Sequence, residues 1–342
     1  MYKKRGTALE ELALMTLILT AIVLCEVILR LIPRRQVLEF EPDSDLLWRF
    51  RPNQKGSFSA RPPLSDAPEA TIDARGLRSN RCVEVADTHK LVLCLGASET
   101  LGVGVSDTET FSALLQQSSQ GRLRVLNAAT SGWGIFQYES YVFRYIDQIR
   151  PDYVLIATDS ASVFRQPFSS AQQHSRFLRA FRIRARLRRY SKLATLALRL
   201  LQNVAILFKK HTLPNLAPDD GSGQVSSFER CLEEDLRRLH RTCDRVSQAG
   251  AMFGLAIWRI HNKHEDLFVR EMRKFACQRK IDFVDFGDAL SQFNHTDLYI
   301  PGDGHPTALA HECAATVLFP VVSATLRLNE KEGSAAMKAK DP

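Results

Sequence analysis

Several signatures that would assign a chain quickly are missing here. The seven cysteines (Cys25, Cys82, Cys94, Cys231, Cys243, Cys277 and Cys313) form no C-x-x-C pair and no Cys/His metal spacing, which excludes a zinc ribbon or a thioredoxin-type redox centre. Their odd number, with Cys94 and Cys313 on apolar faces, argues for buried free thiols rather than a disulfide-built exterior module. The apolar stretch near the N-terminus has no small residue ahead of Cys25 and no small-x-small site after it. That argues against a lipoprotein signal and against a cleaved leader. Arginines are plentiful, yet no aromatic platform or binding motif accompanies them, so nucleic acid is not an expected partner. No metal or organic cofactor is implied.

What is present is enough for a substantial core: 342 residues, 45% of them hydrophobic. The net charge of +8 is concentrated in one segment rather than spread along the chain. After Lys3-Lys4-Arg5, residues 12–32 are apolar except for Thr16, Thr20, Glu26 and Arg30, long enough for one bilayer-spanning helix of about 20 residues. Glu26 and Arg30 stand i, i+4 near one end of that run, where they can pair and reach the headgroups. A retained single-pass anchor over residues 1–35 is expected. Basic residues flank both ends (Lys3, Lys4, Arg5 against Arg34, Arg35), so the charge rule gives no orientation.

Residues 36–87 carry Pro42, Pro52, Pro62, Pro63 and Pro68 and read as a loop-rich lead-in with short strands. From Lys90 the pattern becomes an alternation. Apolar strand-like runs at 90–95, 123–127, 153–157, 252–258 and 281–286 are separated by helical stretches at 107–119, 136–149, 228–248 and 264–279, and a last helix is predicted over 307–327. Such alternation predicts a parallel, doubly wound sheet of about five strands, split into 88–160 and 226–328 by an insertion at 161–225. The insertion holds Arg176, Arg179, Arg182, Arg184, Arg186, Arg188, Arg189 and Lys192, followed by a mostly apolar run to Phe208. It reads equally as a solvated helix pair at the domain edge or as a basic amphipathic surface, 176–208, lying on anionic lipid. Residues 329–342 have no apolar period and are expected to be disordered.

Chemistry in an open α/β sheet sits outside the carboxyl ends of the strands. There the first strand delivers Ser98 within Gly96-Ala97-Ser98-Glu99-Thr100-Leu101-Gly102. The second runs into Asn127-Ala128-Ala129-Thr130-Ser131-Gly132, where a glycine lets a backbone N–H approach a substrate oxygen. The third ends at Thr158-Asp159-Ser160-Ala161-Ser162. Ahead of the last helix stands Asp303-Gly304-His305-Pro306, in which residues i and i+2 of an extended segment point the same way, so that Asp303 can support the His305 imidazole while its other nitrogen faces Ser98. A serine, a histidine and a carboxylate on one rim are what acyl transfer through a serine requires.

These blocks resemble those of the SGNH (GDSL-type) hydrolase superfamily, over roughly residues 88–160 and 226–325, and Arg51-Pro52-Asn53 and Gly76-Leu77-Arg78 are similar to the lead-in of its membrane-anchored members. The resemblance implies a flavodoxin-like three-layer α/β/α sandwich with Ser98 as nucleophile, His305 as base, Asp303 as its orienting carboxylate, and the N–H groups of Ser98 and Gly132 in the oxyanion hole. It also implies a domain on the outer face of the membrane. Two departures stand out. Ala97 replaces the aspartate of the first block, and the third block has no asparagine near Ala161, which leaves Ser160 or Ser162 as candidate third donors. The expected function is a serine esterase or O-acyltransferase acting on O-acyl groups of a glycan or lipid at the membrane surface. The alternative, favoured by the missing asparagine, is a tethered binding or assembly protein that kept the fold and lost efficient chemistry.

Overall fold

The computed structural model describes residues 3–31, 36–59, 62–80, 89–168, 170–198, 222–260 and 262–328. The expectations for Cys82, for the apolar run beyond residue 198 and for the tail at 329–342 lie outside these residues. The chain divides into two units, Met1–Arg35 with Ser170–Asp220, and Gln36–Ser169 with Gly221–Pro342.

The larger unit is built on a five-stranded sheet, β5 (Lys90–Gly96), β6 (Leu123–Asn127), β7 (Tyr153–Thr158), β8 (Met252–Ile257) and β9 (Asp282–Asp285), in the order β6-β5-β7-β8-β9. All four pairings are parallel. Counted from the first sheet strand this is the flavodoxin-like order 2-1-3-4-5, with its switch point between β5 and β7. The central strands are apolar on both faces because both are covered. Leu93, Leu95, Val154, Ile156, Leu255 and Ile257 pack under α4 (Ile135–Ile149), α6 (Ser222–Gln248) and α7 (Glu265–Arg279), whereas Val92, Cys94, Leu155, Ala157 and Ala256 face α3 (Phe111–Ser118) and α10 (Ala308–Thr325). The result is the expected three-layer sandwich.

One predicted helix starts late. The pattern at 107–119 gives a helix only from Phe111, because the Asp107 carboxylate is taken by Arg78 and by the Thr71 N–H, and Thr110 caps the helix by accepting from Ala113 N at 3.2 Å.

The lead-in contributes to the core. Its strands β1 (Phe40–Asp43) and β2 (Leu47–Phe50) pair antiparallel, as do β3 (Gln54–Gly56) and β4 (Ala70–Ile72). Leu38, Phe50, Ala70 and Ile72 form an apolar cluster with Leu101, Val103 and Ala129, residues that flank the two glycine-rich turns at the strand ends.

The smaller unit contains α1 (Lys3–Leu31) and α5 (Ala171–Tyr190), followed by a short helical run at 192–198. Within α1, Glu10–Leu31 is 22 residues long and apolar enough to cross a bilayer, and none of it is buried by protein. The other helix long and apolar enough to do so, the 18-residue α10, packs inside the larger unit.

Candidate active site

β5 ends at Gly96, and the chain turns at once into the one-turn helix α2 (Ser98–Leu101). A Cβ at Gly96 would overlap the Thr100 side chain and the Ala157 carbonyl, so glycine is what allows the turn to close this tightly. Thr100 then rivets α2 to the sheet: its hydroxyl donates to Ala157 O (2.8 Å) and accepts from Trp258 Nε1 (3.3 Å). Asn127, at the end of β6, donates from Nδ2 to Thr100 O (3.0 Å) and accepts from Ala129 N (3.2 Å), tying the first two turns together. Ala97 occupies the N-cap with no side-chain acceptor to offer. The Ser98 hydroxyl donates to the neighbouring Glu99 carboxylate, 3.2 Å from each oxygen. The expected bond to His305 is therefore not the one formed; in this conformation the next residue along the helix holds the serine proton.

The second turn is anchored by Ala128 N to Cys94 O (2.9 Å) and Thr130 N to Gly96 O (3.1 Å). Gly132 has φ +81°, the left-handed region that favours glycine, and a Cβ there would lie 3.2 Å from the Trp48 ring. The lead-in braces this turn from outside. Trp48 Nε1 donates to Ser131 O (3.0 Å), and Trp133 Nε1 donates back to Trp48 O (2.9 Å). Among the described residues neither the Ser98 N–H nor the Gly132 N–H has a hydrogen-bond partner.

The third strand end carries Asp159, the N-cap of a 3₁₀ turn over Ser160–Phe164. Its carboxylate accepts from Ser162 N (3.0 Å), so Asp159 is turned into its own cap, and its second oxygen is buried 3.9 Å from the Arg165 guanidinium. Burial, reinforced by the nearby Glu99 charge and only partly offset by Arg165, pushes the Asp159 carboxyl up to about 7. Ser162 is spent within the turn: its hydroxyl donates to Asp159 O (2.6 Å) and accepts from Thr158 Oγ1 (2.9 Å). Ser160 differs. Its Oγ accepts from Asn262 Nδ2 (2.6 Å), and its own hydrogen has no acceptor among the described residues. Asn262 is the residue that sequence reasoning missed. It follows β8, so it reaches the third turn from the fourth strand, and inspecting every strand's carboxyl end for amides would have found it.

His305 and Asp303 sit on a tight hairpin closed by Ile300 N to His305 O (2.8 Å), with Gly302 and Gly304 both at positive φ. His305 Nδ1 is hydrogen-bonded to Asp303 Oδ1, as the i, i+2 spacing predicted, and both side chains are about one-fifth exposed. Ile300 packs directly against Gly104 in the loop after α2, its Cδ1 standing where a Cβ would project and Gly104 lying at φ +90°. His311 lies nearby but is fully buried. Its Nδ1 accepts from Phe111 N (3.2 Å), and burial, together with the Arg78 and His305 charges, lowers its pKa to about 3, so this imidazole is neutral and structural. Among the described residues no group of three His, Cys, Asp or Glu side chains is arranged to hold a metal ion.

Arg78 holds the loop that follows α2. Fully buried, it ion-pairs with Asp107 (3.1 Å) and donates to Gly102 O (3.3 Å) and Val105 O (2.7 Å).

No protein-family model and no curated protein matches the sequence. Among solved structures the chain's likeness is to GDSL-type lipolytic hydrolases. The psychrotrophic esterase EstA from Pseudoalteromonas sp. is 13% identical over 70% of this chain and 99% of that one, with a TM-score of 0.44. A member of the lipolytic protein G-D-S-L family from Veillonella parvula is 11% identical over 68% and 98%, with a TM-score of 0.43. A catalytic mutant of Axe2, an acetylxylan esterase from Geobacillus stearothermophilus, is 14% identical over 70% and 94%, with a TM-score of 0.41.

Proposed function

We propose that the protein is a serine esterase or O-acyltransferase, with Ser98 as nucleophile, His305 as general base and Asp303 as the carboxylate that orients it. The observation that carries this reading is the Asp303–His305 pair beside a nucleophile turn in which the Ser98 and Gly132 N–H groups are both left without partners. In this mechanism Ser98 turns away from Glu99 and gives its hydroxyl proton to His305 Nε2. Oγ then attacks the acyl carbonyl, and its proton passes to the imidazole and on to the departing alkoxide. The acyl-enzyme is released to water in hydrolysis, or to a sugar hydroxyl in transfer. The carbonyl oxygen, negative in the tetrahedral intermediate, receives the two backbone N–H groups, with the Ser160 hydroxyl as third donor. Asn262 donates to that hydroxyl, whose own hydrogen has no acceptor among the described residues, although Ser160 itself is buried. Ser162 is not retained in this role, since its hydrogen is already used.

Glu10–Leu31 is read as a retained membrane span, which brings O-acylated glycans and lipids at the membrane surface within reach as substrates; the outer face is favoured by the resemblance to anchored SGNH proteins. The test is hydrolysis of a short-chain p-nitrophenyl ester by the full-length protein. Turnover that disappears in Ser98→Ala and in His305→Ala is expected. The second reading, a tethered binding protein, draws support from the Ser98–Glu99 bond and the absent block-three asparagine, and turnover indifferent to both substitutions, or none at all, would favour it.

A further inference from the structure

α5 carries seven arginines in 20 residues and no acidic side chain. Its C-terminal end is clasped to the end of the apolar helix within the same unit. Arg30 donates to Tyr190 O (2.8 Å), and the Glu26 carboxylate accepts from Ser191 Oγ (3.0 Å), Lys192 N (2.9 Å) and Leu193 N (2.9 Å). Glu26 and Arg30, themselves paired at 2.8 Å, thus occupy the acceptors and donors that link two successive helical segments to the anchor. At 1.5 Å per residue Glu26 lies only about 8 Å from the end of α1, which puts the clasp in the last turns of the span, at the depth from which charged side chains reach the headgroups.

The exposed side of α5 has a defined pattern. Ile183, Leu187 and Tyr190, at spacing i, i+4, i+7, form one apolar strip, 54%, 43% and 67% exposed. Arg179 and Arg186 line one flank and Arg184 the other, all exposed. An apolar strip edged by guanidinium groups on a helix without carboxylates is the composition of a helix that lies in a bilayer interface. From this juxtaposition we infer that α5 docks on the anionic phospholipid headgroups of the same membrane that α1 spans, with Ile183, Leu187 and Tyr190 dipping toward the acyl boundary. The two charges near the C-terminal end of the transmembrane run, Glu26 and Arg30, which look costly in the sequence, then serve as the bracket that sets the depth of this second contact.

The inference rests on the membrane-span reading, and one experiment separates the two. Full-length protein carrying Leu187→Trp is reconstituted in vesicles of brominated phosphatidylcholine with or without brominated phosphatidylglycerol, and flotation after a high-salt wash is recorded alongside the fluorescence added by the new indole. Flotation is expected in both lipids, with at least twofold quenching of the added fluorescence only when the anionic lipid is present. That quenching should be lost at 1 M salt, where the Debye length falls to about 3 Å, and in a variant that adds Arg179→Gln, Arg184→Gln and Arg186→Gln. Protein that washes off overturns the span and the docking together. Protein that floats with an unquenched indole, or with equal quenching in both lipids, overturns the docking on anionic headgroups alone.

Discussion

At the scale of single residues, the account turns on which hydroxyls are free. Ser160 and Ser162 stand two positions apart in the same buried turn, and no property of the sequence distinguishes them. Only their partners do: Ser162 donates to Asp159 O, while Ser160 accepts from Asn262 and donates to none of the described residues. Ser160→Ala should therefore lower kcat on an activated ester by roughly 100-fold or more, the usual cost of an oxyanion donor, with KM little changed. Ser162→Ala should cost about 1 kcal/mol of stability through the lost turn bond and leave kcat within a few-fold. Steady-state kinetics and denaturant unfolding on the two variants check this, and equal effects on kcat would remove Ser160 from the hole. The placement of Ser98 at the end of β5 and the Asp303–His305 bond were legible because the strand end and the i, i+2 spacing are displayed in the sequence. Asn262 was not, because its role is created by the adjacency of β7 and β8 and not by any local pattern. The Ser98–Glu99 bond was equally invisible, since a side-chain rotamer leaves no trace in the residue order.

Among the elements, the five sheet strands were legible to within a residue, because strands covered on both faces must be apolar without interruption; helix starts were less so, α3 beginning at Phe111 and α6 at Ser222 against expected starts at 107 and 228. The lead-in was not, since its short strands have no period long enough to announce a partner. Its contribution is nonetheless specific: Trp48 props the Gly132 turn, and Arg78 holds the Gly102 and Val105 carbonyls. Burial lowers the Arg78 pKa to about 10, still far above neutrality, so the guanidinium stays charged against Asp107. Arg78→Met leaves Asp107 buried without its cation and should destabilise the larger unit by about 3–5 kcal/mol in denaturant unfolding. Adding Asp107→Asn should return most of that loss, because a buried pair replaced as a whole is far cheaper than one broken in half. A double variant as unstable as the single one would contradict the paired role.

For the whole molecule, buried titratable groups set opposing pH dependences. Asp159 and Asp235 are both pushed up to about 7, mainly by burial. Each contributes stability that is full below the unfolded carboxyl value of about 3.9 and is lost as pH rises through about 7. His311, lowered to about 3, acts the other way: its stability is full above about 6.5 and is lost as pH falls through 3. Asp235 is none of the proposed site residues; it is bonded to Gln166 Nε2 (3.0 Å) and Arg238 (2.8 Å), so its substitution reads the stability effect by itself. Asp235→Asn keeps an acceptor and removes the costly charge. Its melting temperature should match the parent's near pH 4 and exceed it by several degrees at pH 8. A difference that is constant across that range, or of the reverse sign, would refute the assignment.

The central claim, that Ser98 is an activated nucleophile, is tested most directly by treating the full-length protein with a fluorophosphonate and mapping the adduct by mass spectrometry. A single phosphonylated residue at Ser98 is predicted, with labelling slowed at least 100-fold in His305→Ala. An unlabelled Ser98, an adduct on another serine, or labelling of Ser98 at the same rate without His305 would contradict it.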